Sequence, residues 1–162
     1  MVDRVQVTHR EAADRAFRDQ GGTLWRSLLA FTGDPELASD AMSEAYAQLL
    51  RRGSAVTSPE RWVWRAAFRI AAGELKTRRV ERGITQHAET YEMPEPALDL
   101  IRALRRLSPS QRAVAVLRLY GDLPSSEVAR ILGIGQATVR VHLSQARRRL
   151  RTLLEEADER PA

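Results

Sequence analysis

Along almost the whole chain, apolar residues return every three or four positions, and no stretch of useful length alternates apolar with polar. That period buries one stripe of a helix and does not suit a pleated strand, so the chain is restricted to helical architectures. One segment lacks the period. Residues 81–97 (ERGITQHAETYEMPEPA) are acidic, carry Pro94 and Pro96, and read as a linker that continuous helix does not cross. The expected fold is all-α, two small helical domains joined by an acidic linker. Its boundaries are 1–80, 81–97 and 98–155, with an acidic tail over 156–162.

Local signals place the helices. Thr8-His9-Arg10-Glu11 has the capping-box pattern and predicts a first helix ending near Gly21-Gly22. A second is expected from about Thr23 to Gly33, a residue type suited to the position just past a helix. Asp34-Pro35 then supplies a cap and a proline for the first turn of a helix reaching about Arg52, and Ser58-Pro59 repeats the device for a helix through Leu75. Beyond the linker, helices are expected near 97–106, 109–119, 125–132 and 136–154.

The most specific pattern runs from Leu123 to Leu143. Val128, Ile131 and Leu132 form one apolar face, Ala129 is small where a second helix must approach, and Gly133 can adopt the left-handed conformation that ends the helix. Ile134 plugs the turn. Val139, Leu143, Ala146 and Leu150 then face inward at steps of four, three and four. That spacing builds a helix-turn-helix, whose second helix enters the major groove of DNA. The face left outward carries Gln136, Arg140, His142 and Arg147, followed by Arg148, Arg149 and Arg151. Early residues of such a helix reach base edges, and later arginines meet phosphates. An amphipathic hairpin with a solvated arginine face is the plainer alternative, although the helix lacks the acidic partners one turn away that a solvated helix carries.

Charge follows the same division. The net charge of +5 hides a block at 101–154 with 11 basic and 2 acidic residues, and a block at 83–100 with none and 4. A strongly basic segment of domain size is the footprint expected for a polyanion partner. Arginine supplies nearly all of it, since Lys76 is the single lysine. In the N-terminal half, Glu36, Asp40 and Glu44 stand four apart on one helix, beside a buried stripe of Leu37, Ala41, Ala45 and Leu49. Three like charges at that spacing cost a few tenths of a kcal/mol per pair, which points to a basic partner surface. The next helix carries Arg61, Arg65, Arg69 and Lys76, interleaved with Trp62, Trp64 and Phe68. Arginine beside aromatic rings suits unpaired nucleic acid, because bases stack on rings while cations follow the backbone. Two plainer readings stay open: the opposed stripes pair with each other, and the aromatics are core.

Taken in order, these pieces resemble the extracytoplasmic-function (ECF) class of bacterial RNA polymerase sigma factors, over about residues 10–154. Residues 32–46 (TGDPELASDAMSEAY) resemble the family's region 2.1–2.2, residues 62–69 (WVWRAAFR) its region 2.3–2.4, and Leu107-Ser108-Pro109-Ser110-Gln111-Arg112 with the helix-turn-helix its region 4. The resemblance implies that Leu37, Asp40 and Glu44 meet the beta-prime clamp helices of core RNA polymerase. It implies that Arg61, Trp62, Arg65, Arg69 and Lys76 face the −10 promoter element. It further implies that Gln136, Thr138, Arg140, His142, Ser144 and Arg147 read the −35 element, that the C-terminal domain holds the beta flap, and that the linker follows a basic RNA path. An anti-sigma factor is an implied partner. The sequence departs from the family pattern at Arg69, Gly73, Ser43 and His142, where asparagine, aspartate, glutamine and arginine are usual, and at Gly135, where a serine cap is usual.

Other classes are excluded or kept as rivals. Cysteine is absent, which removes disulfides and thiolate zinc sites. No apolar run spans a membrane, and Met1-Val2-Asp3-Arg4 leads into charged residues without a signal core. Three scattered histidines and no glycine-rich phosphate loop leave no catalytic constellation, so neither an enzyme nor a metal or cofactor is expected. The expected location is the cytoplasm, at the nucleoid. The rivals are a helix-turn-helix regulator that binds palindromic sites as a dimer, and a sigma-like adaptor without promoter selection, which the changes at Arg69 and Gly73 leave open.

Overall fold

The computed structural model describes residues 2–82 and 94–159, with side chains for 7–78 and 94–159. Seven α-helices and no strand form among them: α1 Val2–Thr32, α2 Pro35–Arg52, α3 Pro59–Arg82, α4 Glu95–Arg105, α5 Pro109–Ala115, α6 Ser125–Leu132 and α7 Gln136–Asp158. No helix among the described residues is long and apolar enough to cross a membrane.

Two of the expected boundaries form as the sequence predicts. Gly33 ends α1 at φ 67°, its N–H donating to the Leu29 carbonyl at 2.7 Å. Asp34 then caps α2, its Oδ1 accepting from the Glu36 and Leu37 amides at 2.9 and 3.2 Å. Arg78 of α3 reaches the other oxygen of that carboxylate at 2.6 Å, so one residue both starts α2 and anchors α3. Asp34 and Arg78 are each partly shielded, which makes this pair stronger than an exposed one.

The expected break at Gly21-Gly22 does not occur. α1 runs through both glycines, and Thr8 lies inside the helix rather than at its start. Two glycines cost about 2 kcal/mol of helix propensity against alanine. A buried stripe of Ala13, Ala16, Leu24, Leu28 and Phe31 continues in register across the pair and packs on α2 and α3. Between them, Gln20 accepts from Trp64 Nε1 at 2.9 Å. Tertiary packing therefore overrides the local stop signal.

The second unit is built on α7. Val139, Leu143, Ala146 and Leu150 are buried, as are Val128, Ala129 and Ile131 of α6. Gly133 takes φ 68° and the Ile134 amide donates back to Ala129 at 3.0 Å, which closes the turn between the two helices. Ser108 and Gln111 form a reciprocal capping box at the start of α5. That helix departs from expectation at its end: Val116–Tyr120 is a wider π-helical turn, stopped where the Gly121 amide donates to Val116.

The segment between the units is shorter than 81–97, because α3 reaches Arg82 and α4 already begins at Glu95. Most of the predicted linker, 83–93, lies outside the described residues. The predicted acidic tail at 156–162 likewise begins inside α7.

Candidate nucleic-acid interface

The exposed side of α7 is dictated by its buried side. With 100° per residue, the inward positions 139, 143, 146 and 150 leave Ala137, Val141, Ser144 and Arg148 pointing directly away. Gln136, Arg140, Arg147 and Arg151 flank that line on one edge, and Thr138 and His142 flank it on the other. The predicted recognition residues therefore occupy two edges rather than one face. Arg140, Leu143, Ser144, Arg147, Arg148 and Arg151 line a shallow depression of about 460 Å³. None of these arginines has an ion-pair partner among the described residues, so the depression is a concentrated cationic surface. No carboxylate lies within its lining.

His142 is corrected. It is half-buried rather than outward, with Nδ1 shut from solvent and lacking a hydrogen-bond partner among the described residues. Its angular position lies nearer the buried side than that of Arg140. Gln145, on the same edge, is held by Gln111 of α5 at 3.1 Å.

Sequence reasoning missed Val141. It is 55% exposed at the centre of the outward face, between Arg140 and Arg148. An exposed β-branched side chain there suits contact with a thymine methyl group, the one apolar feature of the major-groove edge. The signal was present in the sequence, since an apolar residue standing off the buried period is unusual on a solvated helix.

On α3, the aromatics divide. Trp64 and Phe68 are core, their rings stacked at 6.1 Å, with Phe31 packed on Phe68 at 5.4 Å. Trp62 is half-exposed, and the Arg52 guanidinium sits 5.4 Å from its ring centre. Arg65, Arg69 and Lys76 share the outward face with Trp62, exposed and free of ion pairs among the described residues. Arg61 lies at the edge of that face and meets Glu127 of α6 at 3.5 Å. Arg52 is a further cation of this surface that spacing along one helix did not find, because it comes from the end of α2.

The acidic stripe of α2 also divides. Leu37 is 1% exposed and supports the helix from within, so it is not a surface contact. Glu44 is not without partners: it accepts from Gln48 at 2.9 Å and Arg51 at 2.8 Å, and these bonds hold its carboxyl below the ordinary range. Asp40 is exposed and has no partner among the described residues. Among the described residues the acidic and basic stripes do not neutralise each other, since neither Asp40 nor Glu44 contacts Arg61, Arg65 or Arg69.

Comparison with known proteins identifies the family. Residues 97–150 match the family model described as Sigma-70, region 4. The chain is similar to the ECF RNA polymerase sigma factor SigL of Mycobacterium tuberculosis, 30% identical over 157 residues, covering 88% of this chain and 89% of the relative. It is also similar to BldN of Streptomyces coelicolor, an ECF RNA polymerase sigma factor, at 26% identity over 95% of this chain. The RNA polymerase sigma-E factor of Streptomyces antibioticus is 35% identical over 75% of this chain. The chain spans 64% of the BldN length and 62% of the sigma-E factor. The fold is shared with the sigma factor RpoE of Bartonella quintana, solved with the anti-sigma factor NepR, at TM-score 0.69 and 18% identity over 85% of this chain and 95% of that one. It is shared equally with CnrH, solved with the cytosolic domain of CnrY, at TM-score 0.71 and 17% identity over 94% and 97% of the two chains. With SigL matched along most of both lengths, the chain belongs to the family of ECF RNA polymerase sigma factors.

Proposed function

We propose that this protein directs core RNA polymerase to specific promoters. The observation that carries the reading is α7: a second helix of a helix-turn-helix whose outward side bears Arg140, Arg147, Arg148 and Arg151 without carboxylate partners among the described residues. Duplex DNA of the −35 element supplies the missing anions, and most of the affinity comes from counter-ion release, so binding falls steeply with salt. Gln136, Arg140, Ser144 and Val141 read base edges, and Thr138 contributes from the opposite edge of the helix.

On α3, Trp62 and the cations Arg52, Arg61, Arg65, Arg69 and Lys76 hold the melted −10 strand by stacking and backbone charge. Asp40, with Glu44 beside it, meets a basic surface of core polymerase, for which the beta-prime clamp helices are the partner; the C-terminal unit binds the beta flap. The proposed domain limits are those of the helices, α1–α3 and α4–α7. An anti-sigma protein is the proposed inhibitor, supported by the fold shared with RpoE. The protein acts in the cytoplasm, where polymerase and chromosome are.

Adding the pure protein to core polymerase and mapping transcript starts on fragmented genomic DNA tests the reading. Defined starts that share two upstream sequence blocks are expected. Absence of any defined start overturns it.

A further inference from the structure

The outward line of α7 changes character along its length. Its first two turns present Ala137 and Val141, and only beyond them do Ser144 and Arg148 follow. Ala137 and Val141 stand about one turn apart, about 6 Å along the axis, and both are exposed. Val141, at 55%, is the most exposed large apolar side chain among the described residues. Folding does not account for it. Valine forms helix less readily than alanine, and an outward side chain adds nothing to the buried stripe.

The groups around this strip are polar or cationic. Gln136 and Arg140 stand on one side and Thr138 on the other, and no residue within four positions of Val141 is a carboxylate. In a helix the valine side chain keeps one rotamer, so its two methyl groups stay in place and lose little freedom on contact. Valine neither donates nor accepts a hydrogen bond. Set against a base amino or carbonyl group, it would strip water from that group and return nothing, which is costly. The major-groove edge of duplex DNA has one apolar feature, the methyl group at C5 of a pyrimidine. Thymine always carries it, and cytosine carries it when methylated. Exposed Ser144, three residues on and so on the same side of the helix, can donate to the O4 of thymine or accept from the amino group of 5-methylcytosine.

We infer that Val141, backed by Ala137, reads one pyrimidine 5-methyl group in duplex DNA, so that site choice by this protein responds to cytosine methylation as well as to base sequence. The inference rests on α7 entering the major groove, as proposed above, and names the group recognised there. A thymine stands opposite Val141 in the preferred site. At that position 5-methylcytosine replaces it, and unmethylated cytosine does not.

The test uses the whole chain. Duplexes are selected from a random pool at low salt, and in the tightest of them each thymine is replaced in turn by deoxyuridine, which lacks only the methyl group. Fluorescence anisotropy of the wild type is expected to show one position where this replacement weakens binding about fourfold, the effect of one methyl-sized group removed from water. Cytosine there is expected to bind more weakly than thymine, and 5-methylcytosine to recover about the same fourfold. Both methyl effects are expected to vanish in Val141→Ser. In Val141→Thr, which keeps one of the two methyl groups, they are expected to fall to about twofold. Circular dichroism checks that each variant keeps its helix. A wild type indifferent to uracil at every thymine overturns the inference, as does a selection that enriches no shared sequence, or an undiminished fourfold loss in Val141→Ser. Uracil sensitivity with no gain from 5-methylcytosine overturns the response to methylation and leaves thymine as the group read. Defined transcript starts with a duplex indifferent to uracil would remove Val141 as a reader and leave the sigma reading in place. Methyl dependence without any defined start would do the reverse.

Discussion

The two helical units solve the same problem with different means. In α4–α7, most structure is set within a few residues: Ser108 and Gln111 cap each other, Gly133 closes a turn onto Ala129, and α7 presents a row of cations as a direct consequence of its buried stripe. In α1–α3, the decisive contacts join residues far apart in sequence. Gln20 meets Trp64, Asp34 meets Arg78, and Arg52 covers Trp62 from a different helix. The C-terminal surface is therefore read from one helix, whereas the N-terminal surface is assembled from two. The lesson is that charge patterns along a helix identify a binding face only where the pattern and the burial come from that same helix.

The first way to break this comparison is to test whether the two surfaces act independently. Asp40→Arg is expected to abolish co-purification with core polymerase, while duplex DNA binding by the isolated protein stays within about twofold. Asp40 is chosen over Glu44 because it has no partner to lose among the described residues, so surface charge alone changes. Retained pull-down would remove polymerase contact from the acidic stripe.

Arg140→Ala is the reciprocal test. It should weaken binding to a promoter duplex by about 10- to 100-fold, the 1–3 kcal/mol of a base-reading arginine, with a much smaller loss on random duplex. Equal losses on both, measured by fluorescence anisotropy at one salt concentration, would make Arg140 a phosphate contact.

Two glycines compare local with tertiary control of stability. Gly33→Ala should destabilise by about 2 kcal/mol in chemical denaturation, because alanine resists φ 67° and its methyl group meets Arg105. Gly73→Ala should stabilise by about 1 kcal/mol, since Gly73 lies inside α3 with nothing within 4 Å of an added Cβ. Opposite signs for the same substitution would separate a required glycine from a permitted one.

The smallest effect concerns Tyr46. Burial, with Glu60 adding to it, pushes its phenol up to about 12, and its hydroxyl has no hydrogen-bond partner among the described residues. Because the folded pKa exceeds the unfolded value near 10, the unfolded chain loses this proton first. Stability is intact below about pH 10 and declines as pH rises towards 12. Tyr46→Phe keeps the edge contact with Phe17 and should leave stability at pH 7 nearly unchanged while flattening the alkaline decline. Parallel curves for the two proteins would assign that decline to other groups.

Much of this was legible beforehand. The helical class, the Gly33-Asp34-Pro35 boundary and the inward stripe of α7 follow from period and capping chemistry, which act over one or two turns. The continuous α1 was not legible, because Gly21-Gly22 is locally a stop and only packing on α2 and α3 carries the helix through. The aromatic trio resisted for a similar reason. Trp62, Trp64 and Phe68 are equally apolar, and which of them is buried depends on where α1 and α2 lie. His142 was misplaced as an outward residue because helical angle alone does not reveal neighbouring helices, whereas Leu37 is buried as its stripe predicts and only its implied polymerase contact conflicts with that burial.

By itself, then, the sequence determined the helices of the C-terminal unit, the cap of α2 and the kind of surface that α7 exposes, since each depends on residues within reach along the chain. Tertiary structure decided which tryptophan faces outward and that Arg105 closes on Gly33. Those outcomes depend on contacts between residues tens of positions apart, whose formation depends on the position of every packed helix.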